Sequence, residues 1–414
     1  MNGFFSALLR LRAFEAFRYR EYRLLSYGQI SGNMGTWMDE VSRGWLIYEL
    51  TDSAVQLGLV RGIQVLPFLL LSPLAGGAAD RYSRKTLLLM AQILNGIVFA
   101  ATAFLVFTAL IRPWHVYAAA LLVAAGQVFQ MPARSAMVAD TVPPDYLSNA
   151  IGLGALVFNV ARIIGPAVAG AIIAVSGTGS AFFVQALLLF LATVWTVQLR
   201  PMQRRSHGAH KSPKESFVQS IIEGWKFTWR SEPVRISILC AMLVSLLIVP
   251  FTTLLPVFAR DLLGVGANGQ GLLLTAMGVG ALVSSALIAS AGHRLPKGML
   301  MLGASMLYGL LLAVFAGSSW FGLSLAVMVG AGLCHVHSNA LVMTVIQSHS
   351  PPEFRGRTLA IFSMNQVVIT LGSMLIGALS LLLGPRWAVA AMGVTGSLAM
   401  IAMYVAMPRA RHIR

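Results

Sequence analysis

Long, almost uncharged apolar stretches recur along the whole 414-residue chain, and they constrain its fold more than any other feature. A helix needs about 20 mainly apolar residues, at 1.5 Å each, to cross a hydrocarbon core of about 30 Å. Only 11 % of the residues are charged, whereas soluble domains carry about 25 %. An ordinary soluble domain is therefore excluded, and we predict an all-α membrane protein.

Twelve stretches meet this requirement, and they form two groups of six around a polar segment. In the first group we expect transmembrane helices over 24–50, 56–79, 87–110, 114–139, 149–175 and 181–199. In the second group we expect them over 235–259, 267–291, 298–317, 320–345, 358–383 and 386–407. The domains predicted from this pattern are an N-terminal six-helix half (1–200), a cytoplasmic linker (201–234) and a C-terminal six-helix half (235–414).

The basic residues are distributed very unevenly between the loops. Of the 30 Lys and Arg, 24 fall on the side that holds the N-terminus, three on the opposite side and three within spans. Because positively charged loops stay in the cytoplasm, both termini are expected there, in a bacterial cytoplasmic (inner) membrane. This orientation explains the net charge of +16 without a nucleic-acid partner. The two cysteines, Cys240 and Cys334, lie in apolar runs and predict neither disulfide nor metal site, and we expect no cofactor.

The linker and an internal repeat support the division into halves. After a polar run, Phe217, Ile221, Trp225 and Trp229 recur at helical spacing, which predicts an amphipathic helix in the cytoplasmic interface. A plain solvated linker is the alternative. Two Pro-Pro-acid-aromatic segments, 143–146 and 351–354, precede the fifth and eleventh spans at an offset of 208 residues. Such a repeat indicates two halves in parallel.

The loop after span two resembles the signature of the major facilitator superfamily. The signature is Gly, three residues, Asp, Arg, any residue, Gly, Arg, then Lys or Arg, and Ser83 stands here in place of the second Gly. The resemblance implies the twelve-helix major facilitator fold and gives this loop the role of a conformational latch. An ordinary positively charged loop is the alternative, and Ser83 can cap span three in either case. The matching residues are Gly76, Asp80, Arg81, Arg84 and Lys85.

Span five is similar to the antiporter signature of that superfamily. Gly152, Gly165, Pro166 and Gly170 keep its spacing, although alanines replace two of its glycines. Small residues let another helix approach the backbone, and Pro166 removes one helical hydrogen bond, so generic helix packing is the alternative. Segments 35–38, 44–51, 57–60 and 132–134 resemble the drug/proton antiporter branch that includes the enterobactin exporter and macrolide efflux proteins. This resemblance implies export, with the substrate left open.

Only two of the 14 acids, Asp39 and Glu40, fall deep in a span. A charge at the bilayer centre costs about 2.5–3.5 kcal/mol on insertion scales, so these acids need partners or a wet cavity. Arg43 lies one helical turn after Asp39, and Arg162 lies at a similar depth in span five. The four residues are predicted to couple transport to protons, and a purely structural ion pair is the alternative.

Polar residues recur at i, i+3 or i+4 on several spans, so that each set occupies one helix face. We expect these faces to line a substrate cavity between the halves, with an aromatic contribution from span one. For each residue, a hydrogen bond between helices is the alternative. The candidate residues are Trp37, Gln127, Gln130, Arg134, Asn159, His335, Asn339, Ser363 and Gln366.

The sequence lacks the catalytic motifs of several enzyme classes. No Ser has Gly at both −2 and +2, no His-Glu-x-x-His occurs, and no Gly-Lys-Ser/Thr phosphate loop exists. We therefore predict a secondary exporter, not an enzyme, that moves a small amphipathic molecule (drug, siderophore or metabolite) by proton antiport and alternating access. Its partners would be this substrate, protons and membrane lipid, and it would function as a monomer. A lipid or metabolite translocator without proton coupling, and a membrane receptor, are the alternatives.

Overall fold

The computed structural model describes residues 12–72, 82–200, 217–291 and 296–408, and within these ranges it contains helices and no strand. Their main helices, in chain order, are α1 (Arg20–Thr51), α2 (Ala54–Ser72), α3 (Arg84–Phe107), α4 (Pro113–Ala139), α5 (Leu147–Gln198), α6 (Phe217–Arg230), α7 (Glu232–Leu247), α8 (Gly266–Ala291), α9 (Lys297–Gly317), α10 (Phe321–His349), α11 (Pro352–Ser363), α12 (Asn365–Leu383) and α13 (Pro385–Ala406).

Ten helical stretches in the described residues are long and apolar enough to cross a membrane. The 32-residue α1 is not among them, because its mean hydropathy is too low, with many polar residues besides Asp39, Glu40 and Arg43. The 52-residue α5 counts once, although Gly177 interrupts it with φ of +80° and ψ of 170°. These findings confirm a multi-pass helical membrane protein, whereas twelve crossings in two halves stay a prediction.

The first of two compact units consists of the described parts of 1–52, 63–207 and 267–271. Within it, α1 packs along α5, and α3 packs against α4 and α5. A buried cluster at one end includes Tyr22, Leu88 and Met137. The Tyr22 hydroxyl donates to the Ala150 carbonyl oxygen at 2.7 Å, so this large ring is buried with its polar atom satisfied.

The second unit consists of the described parts of 53–62, 208–266 and 272–414. Here α9 packs against α10 and α13, while α7 packs against α10 and α12. Four buried aromatic rings fill its core with edge-to-face and stacked contacts, at centroid separations of 4.8–6.3 Å. These rings belong to Phe251, Phe258, Tyr308 and Phe315.

Helix α6 confirms the helix predicted after the linker, and it packs against α11 within the second unit. Arg357 donates to Glu223 at 2.5 Å, and the rings of Phe227 and Phe354 stack at 4.7 Å. Ile222 and Trp229 are exposed on α6. The interfacial position predicted for this helix stays a prediction.

Several helix ends are fixed by side chains. Ser83 Oγ accepts from the Thr86 amide at 3.1 Å, as its capping role predicted. The second proline of each repeated segment begins a helix, a short 3₁₀ turn at Pro144 and α11 at Pro352. Arg386 donates to the carbonyl oxygens of Ala316 and Ser318, at 3.0 and 2.9 Å, where α9 ends.

Candidate functional site

A cavity of about 280 Å³ lies in the second unit, among α7, α10, α11 and α12. It brings together four residues that the polar stripes predicted, which are His335, Asn339, Ser363 and Gln366. Its complete lining is Ala241, Val244, Ser245, Val249, His335, Ser338, Asn339, Val342, Phe362, Ser363, Asn365, Gln366 and Ile369.

The cavity lies beside two interruptions in the surrounding helices. After Ile248, α7 gives way to a 3₁₀ helix, Val249–Leu254, in which Pro250 cannot donate an amide hydrogen bond. Met364 separates α11 from α12, and no Gly or Pro in the local sequence explains this break. Irregular backbone at membrane depth is tolerated where it is buried in protein or lines a cavity.

The polar lining is uncharged apart from the titratable His335. Of the described residues that line the cavity, none is Asp, Glu, Lys or Arg. Asn365 Oδ1 is buried without a hydrogen-bond donor among the described residues. The His335 ring packs edge-on against Tyr308 at 5.6 Å. A lining of amides, hydroxyls and aliphatic groups suits an amphipathic ligand that forms hydrogen bonds.

In the first unit, Asp39 and Arg43 form the ion pair that their spacing predicted. The two residues are 8 % and 6 % exposed, so the charges are largely removed from solvent. Beside them, Gln185 Nε2 donates to the Ser42 hydroxyl at 2.9 Å. Because desolvation offsets much of the Coulomb attraction, a buried pair of this kind is weak evidence for a stabilising role. Glu40 is partly buried.

Arg162 and Trp37 meet between α5 and α1. The Arg162 guanidinium carbon lies 5.4 Å from the Trp37 ring centroid, a cation–π geometry. The Phe158 ring packs edge-on against the same indole at 5.6 Å. Two candidate residues, Trp37 and Arg162, are thus in contact, and Phe158 packs against the same indole ring.

The other cavity candidates of the first unit are separate from this aromatic group. Arg134 Nη1 donates to Asn33 Oδ1 at 2.6 Å and joins α4 to α1. Gln130 is 5 % exposed and Gln127 is partly buried. The Asn159 side-chain amide donates to the Ala155 carbonyl oxygen at 2.9 Å, within its own helix, so this bond does not join two helices.

Two of the five latch residues lie in the described part of the chain, and both fasten α3 within the first unit. Arg84 Nη1 contacts both Asp140 carboxylate oxygens, at 3.0 and 2.8 Å. Lys85 Nζ donates to the carbonyl oxygens of Val197 and Leu199, at 2.7 and 2.8 Å, where α5 ends. The remaining three lie outside the described residues: Gly76, Asp80 and Arg81.

Three of the four antiporter-signature residues lie at close helix contacts. A Cβ at Gly165 would lie 2.7 Å from that of Trp37, and one at Gly170 would lie 2.6 Å from the Ala267 carbonyl oxygen. Pro166 packs against Gly271. Gly152 has open space around it, so nothing described packs against that position.

Sequence reasoning missed three polar residues that line the cavity, and it missed the acid that pairs with the latch residue Arg84. Ser338 follows His335 by three positions and Asn365 precedes Gln366, so the polar stripes contained a signal for both. Ser245 stands alone in an apolar run and gives none. Asp140 follows the last residue of α4, and only the fold reveals its contact with Arg84.

A multi-pass helical protein with a polar cavity beside interrupted helices belongs, by architecture, to the class of membrane transporters. The chain is a member of the transmembrane secretion effector family of the major facilitator superfamily, whose model matches residues 12–412. It is therefore a transporter and not an enzyme, as the sequence predicted.

The similarity to several named transporters extends over most of this chain and most of each relative. The staphyloferrin A transporter of Staphylococcus aureus is 25 % identical over 359 residues, which cover 83 % of this chain and 85 % of that protein. Multidrug efflux pump Tap of Mycobacterium tuberculosis is 24 % identical, with 86 % coverage of each. A bacterial homologue of the iron transporter ferroportin shares the fold, with TM-score 0.72 and 15 % identity, over 92 % of this chain and 98 % of that one.

Proposed function

We propose that the chain exports a small amphipathic molecule from the cytoplasm by proton antiport and alternating access. The observation that carries the proposal is the cavity among α7, α10, α11 and α12, whose uncharged polar lining suits such a molecule. The relatives support the direction, since their names describe a siderophore transporter and multidrug and macrolide efflux proteins.

The proposed topology has twelve crossings. Counting α1 as a span, and α5 as two spans that join at Gly177, adds two crossings to the ten stretches identified by hydropathy. The halves 1–200 and 235–414, with the linker between them, then follow the internal repeat. With both termini in the cytoplasm, the 24 basic residues face the inside of an inner membrane.

Proton coupling is assigned to Asp39 and Glu40, with Arg43 and Arg162 as charged neighbours. A buried carboxyl favours its neutral form, and a nearby guanidinium favours its charged form. A conformational change that moves the arginine away would therefore switch the protonation of Asp39. The buried Asp39–Arg43 pair supports this assignment.

The cavity is proposed to accept neutral, zwitterionic or anionic amphipaths at least as readily as cations. A site for obligate cations would keep an acid facing the ligand, because a cation is expensive to desolvate without a counter-charge. The described lining of the second-unit cavity includes no such acid. The Trp37 ring could still attract some cations.

The decisive experiment combines cells and proteoliposomes. Compound accumulation and susceptibility are screened in cells that lack or overproduce the protein, and hits are tested in liposomes with an imposed pH gradient. We expect lower accumulation in overproducing cells and gradient-driven flux in liposomes. Flux without a response to the gradient would favour the uncoupled translocator, and binding without flux would favour a receptor.

A further inference from the structure

We infer that Arg134 is an anion-recognition site, which binds a carboxylate or phosphate group of the transported molecule. This inference rests on the proposed transport function and adds a chemical requirement to it. It is carried by the contacts of Arg134 within the first unit.

Arg134 is placed between helices without a described counter-charge. Its Nη1 donates to Asn33 Oδ1, a neutral amide oxygen, at 2.6 Å. Its Nε is buried and has no acceptor among the described residues. A guanidinium carries five N–H donors, and burying it without an anion is expensive. The arrangement therefore leaves both positive charge and donor capacity for a ligand.

Three other basic residues of the first unit, Arg43, Arg84 and Lys85, have an acid or a helix end as partner. Arg43 pairs with Asp39, and Arg84 pairs with Asp140. Lys85 caps the last carbonyl groups of α5, where a helix end attracts positive charge. Arg134 instead has the neutral amide of Asn33 as its recorded partner.

The surroundings of Arg134 add a second donor. Gln130 lies one turn earlier on α4, and its Nε2 is 3.9 Å from the point where a Cβ of Gly32 would lie. Arg134 Nη2 is 3.4 Å from the same point. Two N–H-bearing groups of α4 thus converge over Gly32 of α1, which has no side chain. Paired donors of this kind match the two oxygens of a carboxylate or phosphate.

The position along α4 fits capture from the cytoplasm. Arg134 lies five residues before Ala139, where α4 ends, which is about 7.5 Å at 1.5 Å per residue. In the proposed topology this end faces the cytoplasm. A phospholipid headgroup offers the same chemistry near a helix end, so the experiment must separate the two sources.

The test uses a matched pair of dyes, a boron-dipyrromethene with a free carboxylate and its uncharged methyl ester. Binding to the purified full chain in neutral detergent is followed by fluorescence anisotropy for the wild type, Arg134→Gln and Arg134→Lys. We expect Arg134→Gln to weaken binding of the acid about tenfold, the loss typical of one charge-assisted hydrogen bond, and to change ester binding less than twofold. Arg134→Lys should retain part of the preference for the acid.

Arg112→Gln is the matched control, because it removes an exposed arginine from the other end of α4. It should leave both dyes unaffected. No acid binding by the wild type, unchanged acid binding in Arg134→Gln, or equal losses for acid and ester would each overturn the inference. Retained ester binding shows that the Arg134→Gln protein is folded. If Arg134→Gln does not fold, the acid and ester affinities of Arg134→Lys are compared with those of the wild type instead.

Anionic phospholipid distinguishes the lipid source. If phosphatidylglycerol raises the melting temperature of the wild type but not of Arg134→Gln, while acid dye binding is unchanged, Arg134 binds headgroups and the inference about cargo is wrong. Ester efflux from cells tests the proposed function separately. Continued ester efflux with no Arg134-dependent acid preference would reject the anion site and retain the exporter.

Discussion

Asn365 places a buried amide oxygen at the second-unit cavity, where no described residue donates to it. An unsatisfied buried acceptor costs about 1–3 kcal/mol. A ligand donor that reaches this oxygen would recover part of that cost on binding. The same atom therefore lowers the stability of the empty protein and raises its affinity for ligand.

Asn365→Ala should consequently have opposite effects on stability and on binding. We expect an unchanged or higher melting temperature, because the unsatisfied acceptor is removed, and about a fivefold to tenfold weaker binding of an identified substrate. Thermal unfolding and equilibrium binding measure the two effects. Asn95→Ala is the control, since Asn95 Oδ1 is also buried without a described donor but lies on α3. A control that weakened binding equally would contradict the role given to Asn365.

The double variant Asp39→Asn/Glu40→Gln tests proton coupling. Amides do not titrate in this range, so we expect at least a tenfold loss of pH-gradient-driven flux, with gradient-free equilibration retained. Proteoliposome transport with and without the gradient measures this difference.

Folding needs a separate check, because Asp39→Asn leaves Arg43 buried without its carboxylate. Adding Arg43→Gln removes that unpaired charge. Asp145→Asn, which changes an exposed acid in a short 3₁₀ turn, should behave like the wild type. Unchanged gradient-driven flux in the double variant would show that neither acid carries the proton.

At the scale of elements, glycines decide how closely helices cross. A Cβ at Gly280 of α8 would overlap the Val329 carbonyl oxygen of α10, and one at Gly332 of α10 would overlap the Met277 carbonyl oxygen of α8. Each helix thus packs its glycine against the partner's backbone. Small residues at such crossings let helix backbones approach within membranes.

Gly280→Ala should separate α8 from α10. We expect a destabilisation of about 1–3 kcal/mol, as for an overpacked core, seen as a lower melting temperature. Gly303→Ala on α9 is the control, because nothing lies within 4 Å of its added Cβ. Alanine also has the higher helix propensity, so this control should be neutral or stabilising. Equal melting temperatures for the two variants would argue against the close crossing.

The sequence predicted most helix positions within a few residues, because α4, α9 and α13 have continuous apolar runs with polar ends. It missed the break at Met364, where no local Pro or Gly signals the interruption. Cavity residues with helical spacing, such as His335 and Asn339, were predictable. Ser245 was not, because its contribution depends on which helix face meets the cavity.

At the scale of the whole molecule, the proposed orientation can be tested with cysteine labelling. Cys240 and Cys334 are both buried, so we expect an impermeant maleimide to leave the wild type unlabelled in intact cells. Thr108→Cys, between α3 and α4, should be labelled from outside, and Arg230→Cys should react only after the cells are opened. Both positions are exposed. The reverse pattern would place the termini outside.

Arg386 has a consequence for membrane insertion of the last helical hairpin. It is the second residue of α13, next to the turn at Gly384 that follows α12, and its guanidinium donates to two carbonyl oxygens where α9 ends. In the proposed topology this charge crosses the bilayer during biogenesis, and the negative end of the α9 dipole offsets it. Because that compensation exists only when α9 is in place, late docking of the final hairpin onto α9 is the favoured order of assembly.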